Sequence, residues 1–199
     1  MRYETIGSGK VGQALATAFA RKELEVAIAS RRLAEALAPV AKAIGPTIIP
    51  KSLQDAVKAD IIILAIPFGT QKEVAKAAES WQGKIVIDVT NAYGVSPEEL
   101  GNLPSSAVIS QAFRGAKLVK AFNQLTAEVL AEDPNVKGGR RVVFLASEDE
   151  GAAAQVAVLV EQLGFAPVQL GKLAEGGLLI QARGKTWAQL IFQDFVKFK

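Results

Sequence analysis

The stretch Ile6-Gly7-Ser8-Gly9-Lys10-Val11-Gly12 decides how the rest of the sequence reads. Its G-x-G-x-x-G spacing is weak alone, because glycine is common. Here it falls directly between a strand-like run, residues 1–6, and a helical pattern over 10–22. In that second stretch Val11, Leu15, Ala18 and Phe19 recur three and four residues apart and give one apolar face. In a strand–turn–helix setting Gly7 permits the tight turn, Gly9 lets a pyrophosphate approach the backbone, and Gly12 lets the helix pack close on the strand. The helix N-terminus adds free N–H groups and partial positive charge. A tight turn that binds nothing has the same spacing, and residues further on must separate the two. A P-loop is excluded, since Glu4 stands where its first glycine belongs and Val11 where Ser or Thr belongs.

Outward from this turn the pattern alternates. Strands are expected at 25–29, 47–49, 61–66 and 84–89, with helices over 33–43, from Ser52 to Asp55 and beyond, and over 71–80. Ile61 to Phe68 is a continuous apolar run, as suits a strand buried on both faces. The βαβαβ rhythm predicts an α/β fold with a doubly wound, mostly parallel Rossmann sheet. Further strands are expected at 118–122, 141–146 and 165–170, with a helix over 148–163 that Gly164 ends. Ser96-Pro97-Glu98-Glu99 has the makings of a helix start. Trp187, Leu190, Ile191, Phe195 and Phe198 predict an apolar stripe on a C-terminal helix capped near Thr186, serving as core or dimer contact. Residues 1–170 thus read as the nucleotide-binding domain, and 171–199 as a short helical C-terminal extension packed on that domain or on a dimer partner.

Composition narrows the chemistry. Of 199 residues half are hydrophobic and 22% are charged, enough apolar material for a single buried core. The longest apolar run is far short of the roughly 20 residues that span a bilayer, and no secretory signal is visible, so a cytoplasmic protein without membrane partners is expected. Cysteine and histidine are both absent. Disulfides, Cys/His metal sites, catalytic thiols and a Ser-His-Asp triad are excluded together, and no metal site is expected. The net charge of +3 is dispersed, and nothing suggests a nucleic-acid groove.

The end of the second strand selects the dinucleotide. An NAD site places Asp or Glu there to bind the ribose 2′-hydroxyl, about 20 residues past the glycine turn. This chain has Ser30-Arg31-Arg32 instead, with no acid before Glu35. Two guanidiniums and a hydroxyl suit a 2′-phosphate, because Arg presents a planar fork to its oxygens. Two solvated arginines opening a surface helix are the alternative, although basic charge at a helix start opposes the dipole.

Together Gly7–Gly12, Ser30-Arg31-Arg32, Ala65-Ile66-Pro67, Asp88-Val89-Thr90-Asn91 and Val119-Lys120-Ala121-Phe122-Asn123 resemble, in order, the coenzyme F420-dependent NADP oxidoreductase family. Gly138-Gly139-Arg140-Arg141 and Leu163 to Val168 look like the family too. Its members include deazaflavin:NADP reductases and the cytosolic domains of membrane ferric reductases. The resemblance implies a Rossmann domain holding NADP(H) at the carboxyl ends of the strands, commonly as a homodimer. It implies that Ser8, Lys10 and Val11 lie along the pyrophosphate. Ala65, Ile66 and Pro67 would border the middle of the cofactor, and Asn91 and Asn123 the nicotinamide.

Three further residues have two readings each. Asn123 orients a carboxamide or hydride acceptor, or caps the next segment. Tyr93 donates a proton to a carbonyl substrate, or is a half-buried loop tyrosine. Lys120 donates a proton, or by strand alternation points away from the side of Val119 and Ala121. Glu4, unusual in a buried parallel strand, either faces the strand end or pairs with a basic residue. The expected function is an NADP-dependent oxidoreductase that exchanges hydride between NADPH and a small-molecule acceptor, coenzyme F420 or a flavin. An NADPH-dependent reductase of a small imine or ketone is the first alternative, disfavoured by the roughly 30 residues left after the last expected strand. A non-catalytic NADP(H) sensor is the second. If both guanidiniums pair with the 2′-phosphate, Arg31→Ala combined with Arg32→Ala weakens NADPH by about 3–5 kcal/mol in a calorimetric titration and leaves NADH nearly unchanged.

Overall fold

Apolar residues on both faces of consecutive strands place the sheet at the centre of the protein, whose computed structural model describes residues 1–182 and 190–198. The first half runs β1 (Tyr3–Ile6), α1 (Lys10–Arg21), β2 (Val26–Ala29), α2 (Ala34–Ile44), β3 (Ile48–Pro50), α3 (Leu53–Ala56), β4 (Ile61–Leu64), α4 (Gln71–Ala75) and β5 (Ile85–Asp88). The second half adds α5 (Ser105–Ala112), β6 (Lys117–Ala121), α6 (Ala127–Ala131), β7 (Asn135–Val136), β8 (Gly139–Ser147), α7 (Glu150–Gln162), β9 (Ala166–Gln169), α8 (Gly176–Leu179) and β10 (Val196–Lys197).

Six strands pair in parallel in the order β3-β2-β1-β4-β5-β6, the doubly wound arrangement expected from the sequence. The order in which the strands are added reverses between β1 and β4, which opens a crevice at their carboxyl ends. Every residue of β2, β4 and β5 is buried, as helices on both faces require. On one face Leu15 and Phe19 of α1 share one continuous core with Ile28, Ile63 and Ile87, which Val156 and Leu159 of α7 extend over Val119 and Val143. On the other, Ala56, Val74, Ile109 and Phe113 cover Ile62, Leu64 and Val86. Leu15 and Phe19 have no exposed surface, and burying side chains of this size contributes about 1.5–3 kcal/mol each, so α1 is held by docking more than by propensity. None of the described helices is long and apolar enough to cross a membrane.

Beyond β6 the sheet is mixed. β8 runs antiparallel to β6 and parallel to β9, and its first residues form a hairpin with β7 through Lys137 and Gly138, both at positive φ. The end of the chain departs from expectation. The predicted C-terminal helix is replaced over 190–198 by a turn and β10, which pairs antiparallel with Arg140 and Arg141; Thr186 and Trp187 lie outside the described residues. Val142 N–H donates to the Phe195 carbonyl at 2.7 Å, and the Arg141 guanidinium bonds Asp194 at 3.0 Å. The unpaired hydrogen-bonding groups of β8 recruit this segment, and that demand outweighs its helical spacing of apolar residues.

Two helices also differ. Ser96 and Glu99 do form a reciprocal cap, at 2.8 and 3.2 Å, but Gly101 and Asn102 adopt positive φ one turn later and the helix stops. The following helix, α5, carries no comparable signal. α4 ends at Ala75, short of residue 80, where the Trp81 indole N–H takes the Ala75 carbonyl at 2.9 Å.

Glu4 is 2% exposed in β1, and Lys51, just past β3, meets it with Nζ 2.6 Å from Oε1. Of its two sequence readings, the paired one holds. Its Oε2 is buried with no hydrogen-bond partner among the described residues. Burial pushes the carboxyl above its ordinary range, against the pull of Lys51. A carboxyl raised by folding binds its proton more readily in the native state, so its contribution to stability is greatest below the ordinary carboxyl range and declines as pH rises through the folded pKa. Lys51→Met removes the opposing cation and raises the carboxyl further. The variant should lose about 2–4 kcal/mol at pH 7, under the full buried-pair cost because the Lys51 side chain is 32% exposed. Urea unfolding at pH 7 and pH 5 checks this: the deficit shrinks at the lower pH as Glu4 becomes neutral, and a pH-independent deficit removes the pair as its source.

Candidate nucleotide site

The glycine turn is wedged between two strand ends. Gly7, at φ +123, donates its N–H to the Ala29 carbonyl at 2.8 Å, and Ala65 donates to the Ile6 carbonyl at 2.8 Å. A Cβ on Gly7 would sit 2.0 Å from the Ala65 carbonyl oxygen, and one on Gly12 would sit 1.9 Å from the Gly7 oxygen. Neither position has room for a side chain. Gly9 is different, for a Cβ there meets nothing within 4 Å and its φ of −77 suits any residue. Packing does not explain this glycine. It is the N-cap of the twelve-residue α1, with no side-chain cap and no acid in the first turn, so the open backbone offers unopposed N–H groups to an anion. The Gln13 amide holds the turn from behind by donating to the Ser8 carbonyl at 2.8 Å.

In front of the turn is a cleft of about 500 Å³. It brings together Gly7, Ser8, Gly9, Ser30, Arg31, Arg32, Ala65, Ile66 and Pro67, all singled out in the sequence. Lys10, Val11 and Gly12 do not line it; they begin α1, and Gly12 is buried behind the turn. Sequence reasoning missed Leu53, Thr70, Glu73 and Val74, which close the opposite wall from α3, α4 and the segment before it. The available signal was topological: a segment leaving β4 beside the glycine turn must border the crevice. That segment is ordered by Thr70 Oγ1, which donates to the Pro67 carbonyl at 2.8 Å, and by Gly69 N–H, which donates to Gln71 Oε1 at 2.7 Å. Ser30 Oγ accepts the Arg32 N–H at 3.1 Å, and Arg31 extends to Glu73 with Nη1 3.3 Å from Oε2.

Asn91 and Asn123 lie outside this cleft, past the ends of β5 and β6. The Val89 N–H donates to the Leu64 carbonyl at 3.3 Å and ties their side of the sheet to the end of β4. The two asparagines hold each other: Asn91 Nδ2 donates to the Asn123 carbonyl and Asn123 Nδ2 to Asn91 Oδ1, both at 3.0 Å. Asn123 Nδ2 also donates to the Ile180 carbonyl, and α6 is capped by Thr126 instead, so Asn123 does not serve as the cap. Lys120 is 1% exposed, with Nζ 3.0 Å from both Asp88 Oδ2 and the Thr90 carbonyl oxygen. As alternation predicted, it faces away from the core that holds Val119 and Ala121. Asp88 Oδ1 accepts from the Thr90 N–H at 2.9 Å and hydroxyl at 2.7 Å. Tyr93 is 48% exposed and stacks on Phe192, with centroids 6.3 Å apart and planes at 14°.

A parallel sheet ordered 3-2-1-4-5-6 with a glycine turn at its switch point defines an NAD(P)-dependent oxidoreductase of Rossmann type once the relatives are set beside it. The family model described as NADP oxidoreductase, coenzyme F420-dependent, matches residues 3–92. The crystal structure of the hypothetical protein SMa0349 from Sinorhizobium meliloti superposes with a TM-score of 0.91 at 38% identity, over 99% of this chain and 96% of that one. A candidate F420-dependent NADP reductase from Arthrobacter sp. fb24 gives 0.72 at 25% identity, over 87% and 86%. Mouse metalloreductase STEAP2 is 36% identical over 92 residues, which are 46% of this chain and 18% of that protein, so the match spans under a fifth of the curated relative. Over residues 3–92, and in its likeness to the Arthrobacter protein, the chain is similar to the F420-dependent NADP oxidoreductase family.

The contrast among the glycines is testable. Gly9→Val has room to fold, so its circular dichroism and melting should match wild type while NADPH affinity falls at least a hundredfold in a titration. Gly7→Ala should lower stability outright, because the clash is with backbone. Wild-type affinity in a folded Gly9→Val variant would place the phosphates elsewhere.

Proposed function

We propose that this protein binds NADP(H) across the crevice, with the pyrophosphate on the turn at Gly7, Ser8 and Gly9 and the 2′-phosphate on Ser30, Arg31 and Arg32. Ala65, Ile66 and Pro67, and beyond them Asn91 and Asn123, would then border the nicotinamide, whose hydride would pass to or from a planar ring of the deazaflavin or flavin kind. A bound NADPH would supply the hydride and leave as NADP⁺, with water supplying the proton that completes the reduced acceptor. The protein's part is to hold two rings in register, and orientation alone can supply much of the rate.

The observation that carries this reading is the state of Lys120. Of the two candidate proton donors, Lys120 is sealed in an ion pair with Asp88 and is 1% exposed. A small ketone or imine needs a proton delivered as hydride arrives, whereas a flavin-type ring exchanges its proton with water. The Asn91–Asn123 pair supplies fixed amide groups without titrating. Tyr93 N–H donates to the Asn91 carbonyl at 2.9 Å and Phe192 N–H to the Gln124 carbonyl at 2.6 Å, which anchors their stacked, half-exposed rings beside those asparagines. An apolar aromatic rim there suits a flat conjugated ring.

NADPH carrying deuterium at the transferred position should deliver it to the ring carbon of a deazaflavin, which retains it, and Tyr93→Phe should cost less than about tenfold in turnover, since general acid catalysis contributes 10²–10⁴. Rapid reduction of a small ketone or imine with no activity toward flavin-type rings, or a thousandfold loss in Tyr93→Phe, would make the protein a small-substrate reductase instead.

A further inference from the structure

Arg31 and Glu73 face each other across the mouth of the cleft, one past the end of β2 and the other on α4, 42 residues apart in sequence. Nη1 lies 3.3 Å from Oε2, a single contact with side chains 74% and 59% exposed. Such a pair is weak and readily exchanged, because water screens it and neither side chain has another hydrogen-bond or ion-pair partner among the described residues. Arg31, Arg32 and Glu73 are the charged residues of the cleft wall. Among the described lining residues Glu73 is thus the single carboxylate, and it stands beside the cations that suit an anionic ligand.

We propose that Glu73 is a selectivity determinant that works against the 2′-phosphate. The proposal rests on the reading that Arg31 and Arg32 take that phosphate. A phosphate drawing on Arg31 must displace or share the guanidinium that Glu73 holds, and it brings a dianion to within a few ångströms of a carboxylate. Both effects oppose NADPH. NADH carries a hydroxyl at the same place, leaves the Arg31–Glu73 contact intact and meets no repulsion. The two arginines thus set a preference for the phosphorylated nucleotide, and Glu73 limits how far it goes.

Titration of wild type, Glu73→Gln, Arg31→Ala and the double variant with NADPH and with NADH tests this. Glutamine keeps the length and polarity of the side chain and removes only the charge. In Glu73→Gln, NADPH affinity should rise about 3–10-fold while NADH stays within twofold. The gain should shrink in the Arg31→Ala background, and also in 0.5 M salt, where exposed charges are screened over a few ångströms. An unchanged or weakened NADPH affinity in Glu73→Gln, or an equal shift for both nucleotides, overturns the proposal. Arg31→Ala distinguishes the two levels. If that variant loses NADPH selectively and Glu73→Gln is silent, this proposal alone falls; if it shifts both nucleotides equally, the 2′-phosphate reading falls and takes the proposal with it.

Discussion

A backbone contact sets the geometry of the crevice: the turn after β1 passes so close to the segment leaving β4 that a Cβ on Gly7 would lie 2.0 Å from the Ala65 oxygen. The next contact repeats the constraint, with Gly12 of α1 packed against the carbonyl of Gly7 at a distance that also excludes a side chain. Ala65, Gly7 and Gly12 therefore stack with no side chain between them, and the first turn of α1 is carried to the mouth of the crevice. Parallel pairing of β1 with both β2 and β4 makes this stacking possible, because it brings both carboxyl ends level with the turn. Gly9 lies at the open end of the stack, where the protein itself makes no demand on its size.

The charges of the molecule divide by burial into two working sets. Glu4 and the whole of the Asp88–Lys120 pair are buried in the sheet, where a carboxylate that loses its cation costs several kcal/mol. Their value is positional. Lys120 joins Asp88 to the Thr90 carbonyl, Asp88 takes both donors of Thr90, and the segment leading to Asn91 is thereby fixed. Arg31, Arg32 and Glu73 stand in water, where pairing is weak and a ligand competes on equal terms. Rigid polar groups line the approach to the β5 and β6 ends, while exchangeable ones ring the far end near β2. That division suits the proposed site, in which one end of the nucleotide is held in register and the other is recognised.

Much of this was legible in the sequence because it is local. The turn from Ile6 to Gly12 is legible through its spacing together with the strand-like run before it and the helical pattern after it, and Ile61 to Leu64 shows burial on both faces through an unbroken apolar run. Ser30-Arg31-Arg32 could be placed beside the turn, since its distance from the glycines is a property of one βαβ unit. The failures were also physical. Ser96 and Glu99 made their cap and still gave no lasting helix, for Gly101 and Asn102 turn the chain away. The apolar spacing of Ile191, Phe195 and Phe198 is that of a helix, and pairing with β8 drew Val196 and Lys197 into a strand instead.

Sequence by itself determined the alternation of strands and helices through β5, the glycine turn and the pair of arginines, each encoded within a window shorter than one supersecondary unit. Only the tertiary structure decided what those groups meet. Glu4 finds Lys51 across 47 positions, Lys120 finds Asp88 across 32, and Arg31 finds Glu73 across 42. Each meeting follows from which strands lie side by side. Strand order is settled by the packing of the whole sheet and its two layers of helices, so no local window records it.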